Sequence, residues 1–188
     1  MPYYGTLVEQ QGTAYPTYKV RTSYTGKKGR PKYIKDGKNV KEPYGLNMLS
    51  TYNVEEPIYL TEGETDMITL LQAGFQALGI PGANTFEERF VSYINPYPLV
   101  IVVLDSDEAG DNLLKNVIKC MGEDASKVLF VPMPRGVKDV NTFHCSNCRK
   151  NIDLFKEEFG KLQPVPATIE GFDILVKSNE EINIVRFN

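Results

Sequence analysis

Two short uncharged runs, each ending on a burst of acids, constrain this chain more than any other feature. The first, Ile58-Tyr59-Leu60, ends on Glu62-Gly63-Glu64-Thr65-Asp66. The second, Leu99-Val100-Ile101-Val102-Val103-Leu104, ends on Asp105-Ser106-Asp107-Glu108-Ala109-Gly110. Runs this short and this apolar read as strands buried on both faces, which belong to parallel sheets covered by helices. In such sheets ligands sit at the carboxyl ends of the strands. Two adjacent strands would bring Glu62, Asp105 and Asp107 together there. Three carboxylates repel one another unless a hard cation neutralises them. Mg2+, held through one or two carboxylates plus substrate phosphates, suits such a crevice. D-x-D alone says little, because loops are rich in aspartate. Its weight comes from both acidic sets lying at strand ends, with Gly63 allowing close backbone approach.

The chain then alternates strand and helix. A helix is expected near Glu64–Ala73, with Met67, Ile68, Leu70 and Leu71 as its apolar face. Ala77-Leu78-Gly79-Ile80 reads as a strand, followed by the tight turn Pro81-Gly82-Ala83-Asn84. Thr85 as N-cap and Glu88 three residues on make a capping box, predicting a helix to about Ile94. A helix from about Ala109 to Met121 turns Leu113, Leu114, Val117 and Ile118 inward. The strand Val128-Leu129-Phe130-Val131, a loop from Pro132 to Asn141 and a short helix near Asn151–Phe159 complete the unit. Connections this short imply right-handed crossovers, so the fold class is α/β: a Rossmann-like parallel sheet flanked by helices.

Asp66 lies four residues after Glu62. It faces the same crevice from the first helical turn, or is there because acids suit helix N-termini. Lys138-Asp139 follows the next strand, so Asp139 adds a further carboxylate or is an ordinary turn residue. The spacing leaves both pairs of readings open.

Charge divides the chain. Between Lys19 and Lys41 nine basic residues face one acid, Asp36, a net +8 that leaves −11 over the rest. A solvated loop would account for such a run, but its balance against an acidic remainder favours a polyanion contact. Eight of the eleven tyrosines also lie in residues 1–54. Aromatics interleaved with cations suit single-strand binding, although most of these tyrosines are better read as filling a thin sheet. Pieces such as Thr17-Tyr18-Lys19-Val20-Arg21 read as strands, and Thr25–Gly29 and Lys35–Asn39 as turns. Three units are expected: a small basic β-rich subdomain over 1–54, the α/β domain over 55–162, and a tail over 163–188 that is an edge strand or a linker.

Other chemistries are disfavoured. The three cysteines are too few for a disulfide framework, which points to a reducing, cytoplasmic setting. The start lacks a signal-peptide pattern and no apolar stretch is long enough to span a bilayer, so no membrane role is expected. Cys145 and Cys148 have C-x-x-C spacing without a second pair, and His144 is poorly placed beside them, so no zinc is expected. Gly26-Lys27-Lys28-Gly29-Arg30 is not a P-loop. His144 is the sole histidine, which leaves little for nucleophilic triads.

EGETD after a strand, then a Gly-containing turn, VIVVLDSDEAG and KDVN together resemble the TOPRIM domain of DnaG-type bacterial and phage primases. In motif form they are most similar to phage primase-helicases of the T7-like kind. Arg30-Pro31-Lys32-Tyr33 resembles the Lys-Tyr of the basic subdomain ahead of TOPRIM. The resemblance covers roughly residues 20–145 and is most specific over 57–110. It implies Glu62 as general base or acid, and Glu62, Asp105, Asp107, Asp66 and Asp139 around two Mg2+ or Mn2+ ions. Lys32, with Arg30, Lys27, Lys28 and Lys138, would hold nucleotide or template. The implied activity is nucleotidyl transfer, making short RNA primers from NTPs on single-stranded DNA. A replicative helicase would act in cis or in trans, in the cytoplasm of a bacterium or phage-infected host. The zinc module and helicase motor of longer primases have no counterpart motif here, which suggests a polymerase module alone. A metal-dependent nuclease of the same fold and a non-catalytic nucleic-acid-binding module are the rival readings.

Overall fold

In a computed structural model the described residues are 42–106 and 108–167, together with the strand backbones 2–3, 17–21 and 33–36. Those three strands, β1 (Pro2–Tyr3), β2 (Thr17–Arg21) and β3 (Tyr33–Asp36), form an antiparallel sheet in the order β1-β2-β3. The pairing runs from Tyr18↔Asp36 to Arg21↔Tyr33. Lys35 and Asp36, expected in a turn, are therefore strand residues. Lys27, Lys28, Arg30 and Lys32 lie outside the described residues, as does the strand-like piece at 182–185.

The main sheet has five strands: β4 (Ile58–Glu62), β5 (Ala77–Ile80), β6 (Val100–Leu104), β7 (Val128–Pro132) and β8 (Val165–Pro166). Their order is β5-β4-β6-β7-β8; the first four are parallel and β8 is an antiparallel edge. Every residue of β5 and β6 is buried, as expected of strands covered on both sides. Side chains alternate along β6. Val100, Val102 and Leu104 join one core with Leu113, Leu114, Val117 and Ile118, while Ile101 and Val103 join another with Met67, Leu70, Phe155 and Phe159. The first core lies under α3 (Glu108–Met121), whose apolar residues recur at helical spacing. The second lies under α1 (Glu64–Gln72) and α5 (Ile152–Gly160). Each Leu or Ile fully withdrawn from water contributes about 1.5–3 kcal/mol, which makes these two layers the main stabilising element.

The outer edge of β5 is covered. Tyr44 pairs with Gly79 through two backbone hydrogen bonds of 2.7 and 3.0 Å, and the Tyr52 hydroxyl donates to the Ala77 carbonyl at 2.8 Å. This removes the exposed edge a sheet otherwise presents.

The capping box at Thr85 does not form. Residues Ala83–Thr85 and Glu88–Phe90 are separate 3-10 turns, and only α2 (Val91–Ile94) is α-helical. The Thr85 hydroxyl donates backwards to the Gly82 carbonyl at 2.7 Å instead of accepting from the amide ahead. At α5 a side-chain cap does form: Asn151, just ahead of the helix, accepts at Oδ1 from the amides of Asp153 and Leu154 at 3.0 and 3.1 Å. Asn151→Ala is expected to cost about 1 kcal/mol in urea-unfolding stability, the usual worth of an N-cap.

Candidate functional site

The chain leaves β4 for β5 on one side and leaves β6 for β7 on the other, so the topological switch point falls between β4 and β6. That is the place where such sheets open a crevice at their carboxyl ends. Glu62 is the last residue of β4, and Asp105 comes one residue after β6. Pairing between the two strands runs from Ile58↔Val100 to Leu60↔Val102, and Glu62 pairs on its other side with Ile80.

A cleft of about 260 Å³ occupies this position. Glu62, Asp66, Asp105, Lys138 and Asp139 line it, with the Gly63–Thr65 turn and Pro81-Gly82 completing the wall. Four of the five expected acids therefore meet. The fifth, Asp107, lies outside the described residues. Lys138 also meets the cleft, with Nζ 3.7 Å from Asp139 Oδ2. Sequence reasoning passed over Glu64, Thr65, Pro81 and Gly82. The turn after β5 carried the signal for the last two, since it ends at the same sheet edge.

Backbone hydrogen bonds hold the acids in place. The Ser106 amide donates to the Lys138 carbonyl at 2.8 Å, tying the loop after β6 to the loop after β7. The Asn141 amide donates to Asp66 Oδ1 at 2.8 Å. Asp139 Oδ1 accepts from the Thr142 amide at 2.7 Å and so caps the short α4 (Val140–Thr142). Asp66 and Asp139 both line the cleft; Asp66 also lies in the first turn of α1, and Asp139, whose other reading is an ordinary turn residue, is the N-cap of α4.

Glycine has a different part from the one expected at Gly63. A Cβ there would meet nothing within 4 Å; the residue is required instead by its φ of 95°. The close approach is at Gly79, where a Cβ would lie 2.5 Å from the Gly63 carbonyl oxygen. It recurs at Gly110, whose Cβ would lie 2.5 Å from the carbonyl oxygen of Asp105.

The electrostatics of the cleft are those of acids held close together. Burial, then the carboxylates of Asp66, Glu62 and Asp139, push the Asp105 pKa up to about 8. Burial raises Asp66 to about 6, against the pull of the Asn141 amide. Burial also raises Glu64. Among the described residues, no three His, Cys, Asp or Glu side chains are grouped so as to hold a metal ion. Mg2+ does not require three, since it commonly keeps several waters and takes one or two carboxylates. Hard oxygen donors crowded in a partly buried cleft, where burial and neighbouring carboxylates raise Asp105, fit such an ion.

The Cys145–Cys148 region lies apart from the cleft lining. Phe143–Asn147 form a π turn, Cys148 is buried, and the His144 ring packs edge-on to Phe155 at 5.7 Å. Among the described residues no helix is long and apolar enough to cross a membrane.

Comparison with known proteins agrees with the geometry. The Toprim-like family matches residues 59–144, the segment that carries the cleft. The Gene 57 protein of Mycobacterium phage D29 is 32% identical over 114 residues, which are 61% of this chain and 70% of that protein. The primase fragment of the bacteriophage T7 primase-helicase protein superposes with a TM-score of 0.53 at 22% identity, over 67% of this chain and 52% of that one. The E. coli primase catalytic core superposes with a TM-score of 0.60 at 19% identity, over 88% and 52% respectively. This chain spans about half the length of each of those two solved structures. In sequence and in fold, then, the chain belongs to the Toprim-like family, with the α/β architecture of primase catalytic cores.

Proposed function

We propose that this chain is the nucleotidyl-transfer module of a DNA primase, joining NTPs into short RNA primers on single-stranded DNA. One observation carries the reading: Glu62 and Asp66 at the β4–α1 junction, Asp105 after β6 and Asp139 after β7 converge at the switch point of a primase-type fold. Asp105, Asp66 and Asp139, with Asp107 beside them in sequence, would hold Mg2+ or Mn2+. When bound, divalent ions would activate the attacking 3′-hydroxyl and stabilise the leaving pyrophosphate. Glu62 accepts the proton of that hydroxyl as it attacks the α-phosphate. Lys138, exposed at the rim, meets the phosphates of the incoming nucleotide. The basic segment with Lys27, Lys28, Arg30 and Lys32 tracks the template backbone, and its affinity falls with salt. A replicative helicase, in cis or in trans, would deliver the single strand in the cytoplasm of the host cell.

The test is incubation with single-stranded DNA, labelled NTPs and Mg2+ or Mn2+. Short labelled oligomers are expected. Shortened DNA without new oligomers would make the protein a nuclease, and neither product with retained DNA binding would make it a binding module. Lys32→Ala is expected to weaken template binding uniformly across sequences and to flatten its salt dependence by about one unit in a log–log titration.

A further inference from the structure

The segment Lys138–Thr142 supplies two cleft residues, Lys138 and Asp139, and is tied by its backbone to the loop after β6 and to Asp66. The Lys138 carbonyl, the Asp139 carboxylate and the Asn141 amide bond respectively to Ser106, Thr142 and Asp66. Neither Asn141 nor Thr69 is among the residues lining the cleft. Yet the Asn141 side chain is held at both ends. Its Nδ2 donates to Thr69 Oγ1 at 3.3 Å, and its Oδ1 accepts from Cys145 Sγ at 3.7 Å. Thr69 is buried in α1, and its hydroxyl donates in turn to the Thr65 carbonyl at 2.9 Å. Thr65 is a wall residue of the cleft. A chain of bonds therefore runs from the Gly63–Thr65 turn through Thr69 and Asn141 to Asp66, and along the backbone to Asp139.

We propose that Thr69 and Asn141 form a latch that clamps the start of α4 onto α1 and so holds Asp66 and Asp139 together on the wall of the cleft, where they would bind a divalent cation. Both are positioning residues: they act through the carboxylates they orient. The single turn of α4 makes few restraining bonds of its own, and a side-chain anchor on the longer helix α1 adds one. Outer-shell partners of this kind typically govern metal affinity by about 10–100-fold when removed. The inference rests on the metal-dependent reading above and concerns how the site is held together.

The test is titration of the full chain with Mn2+ alone, followed by the electron paramagnetic resonance signal of the free ion. Asn141→Ala and Thr69→Val are each expected to weaken Mn2+ binding about tenfold. The double variant is expected to weaken binding by less than the product of the two single effects, because both remove the shared Asn141–Thr69 bond. Thr69→Ser, which keeps the hydroxyl, is expected to retain wild-type affinity, as is Asn151→Ala, which loses a helix cap elsewhere. If Asn141→Ala does not fold, Thr69→Val, which has nearly the same shape, carries the test. Folded variants with wild-type Mn2+ affinity would overturn the latch alone. Equal weakening by Asn151→Ala would overturn it too, by making the effect one of general stability. A wild-type chain that binds no Mn2+ would overturn the latch together with the metal-dependent reading.

Discussion

Asp105→Asn should make the metal-free protein more stable and leave it inactive. Asp105 is the most perturbed acid of the cleft: burial first, and then the carboxylates of Asp66, Glu62 and Asp139, raise its pKa to about 8. A carboxyl with a folded pKa above its unfolded value of about 3.9 favours the folded state while both forms are protonated, and that contribution is lost as pH rises to about 8. The metal-free wild type should therefore lose stability between about pH 4 and pH 8, and the asparagine, uncharged throughout, should not. Asp105 is only partly buried, so solvent screening reduces the effect to about 1–2 kcal/mol, or roughly 3–6 °C in melting temperature at pH 8 for a chain of this size. Millimolar Mg2+ should reverse the ranking, because the ion neutralises the wild-type cleft and finds one carboxylate fewer in the variant. The primer synthesis proposed above should fall by about 10²–10³-fold, the usual worth of one preorganised electrostatic contact in the transition state. Differential scanning fluorimetry at pH 5 and pH 8, with and without Mg2+, and a priming assay read all three effects. A melting temperature that falls at pH 8 in the variant would show that Asp105 is not under strain from its neighbours.

The same residue shows why much of the site was legible. Uncharged runs such as Val100–Leu104 have no place but the interior, and an acid directly after one must emerge at a sheet edge. The runs Ile58–Leu60, Ala77–Ile80 and Val128–Val131 fall in strands for the same reason, although β4 runs on to Glu62 and β7 to Pro132. That β4 lies beside β6, however, is a property of the whole topology, and the sequence reading had to suppose it. The Thr85 hydroxyl had two partners within reach, an amide ahead and a carbonyl behind, and spacing cannot say which wins. Asn141 is harder still. It stands in a recognisable KDVN segment, but its partners Asp66 and Thr69 are 75 and 72 residues away, so its part depends on two elements first being packed together. The Gly63 expectation failed for a related reason: the crowding is real but falls on Gly79, across the sheet from the turn it supports.

Gly110→Ala tests the crowding where it matters most. Gly110 lies in the first turn of α3, and an added Cβ would stand 2.5 Å from the carbonyl oxygen and 2.8 Å from the amide nitrogen of Asp105. Alanine is the better helix former, so on an exposed helix this substitution would stabilise by a few tenths of a kcal/mol to about 1 kcal/mol. Here the neighbouring atoms are backbone and cannot rotate away. Either α3 lifts from the sheet or the Asp105 turn is pushed outward, and α3 is pinned by Leu113, Leu114 and Val117, all fully buried. The turn is the softer element, so it should yield. Overpacking of this sort costs about 1–3 kcal/mol, and a displacement near 1 Å at a reacting group costs about 10²-fold in rate. On the function proposed above, the expected variant is folded, melts several degrees lower, and primes about a hundredfold more slowly with no change in any binding of single-stranded DNA. Asp105→Asn and Gly110→Ala would then resemble each other in activity and differ in the sign of their stability change at pH 8. That opposition separates a carboxylate that is chemically required from one that is merely crowded. If Gly110→Ala keeps full activity, the Asp105 turn tolerates displacement, and its present position is not what the chemistry depends on.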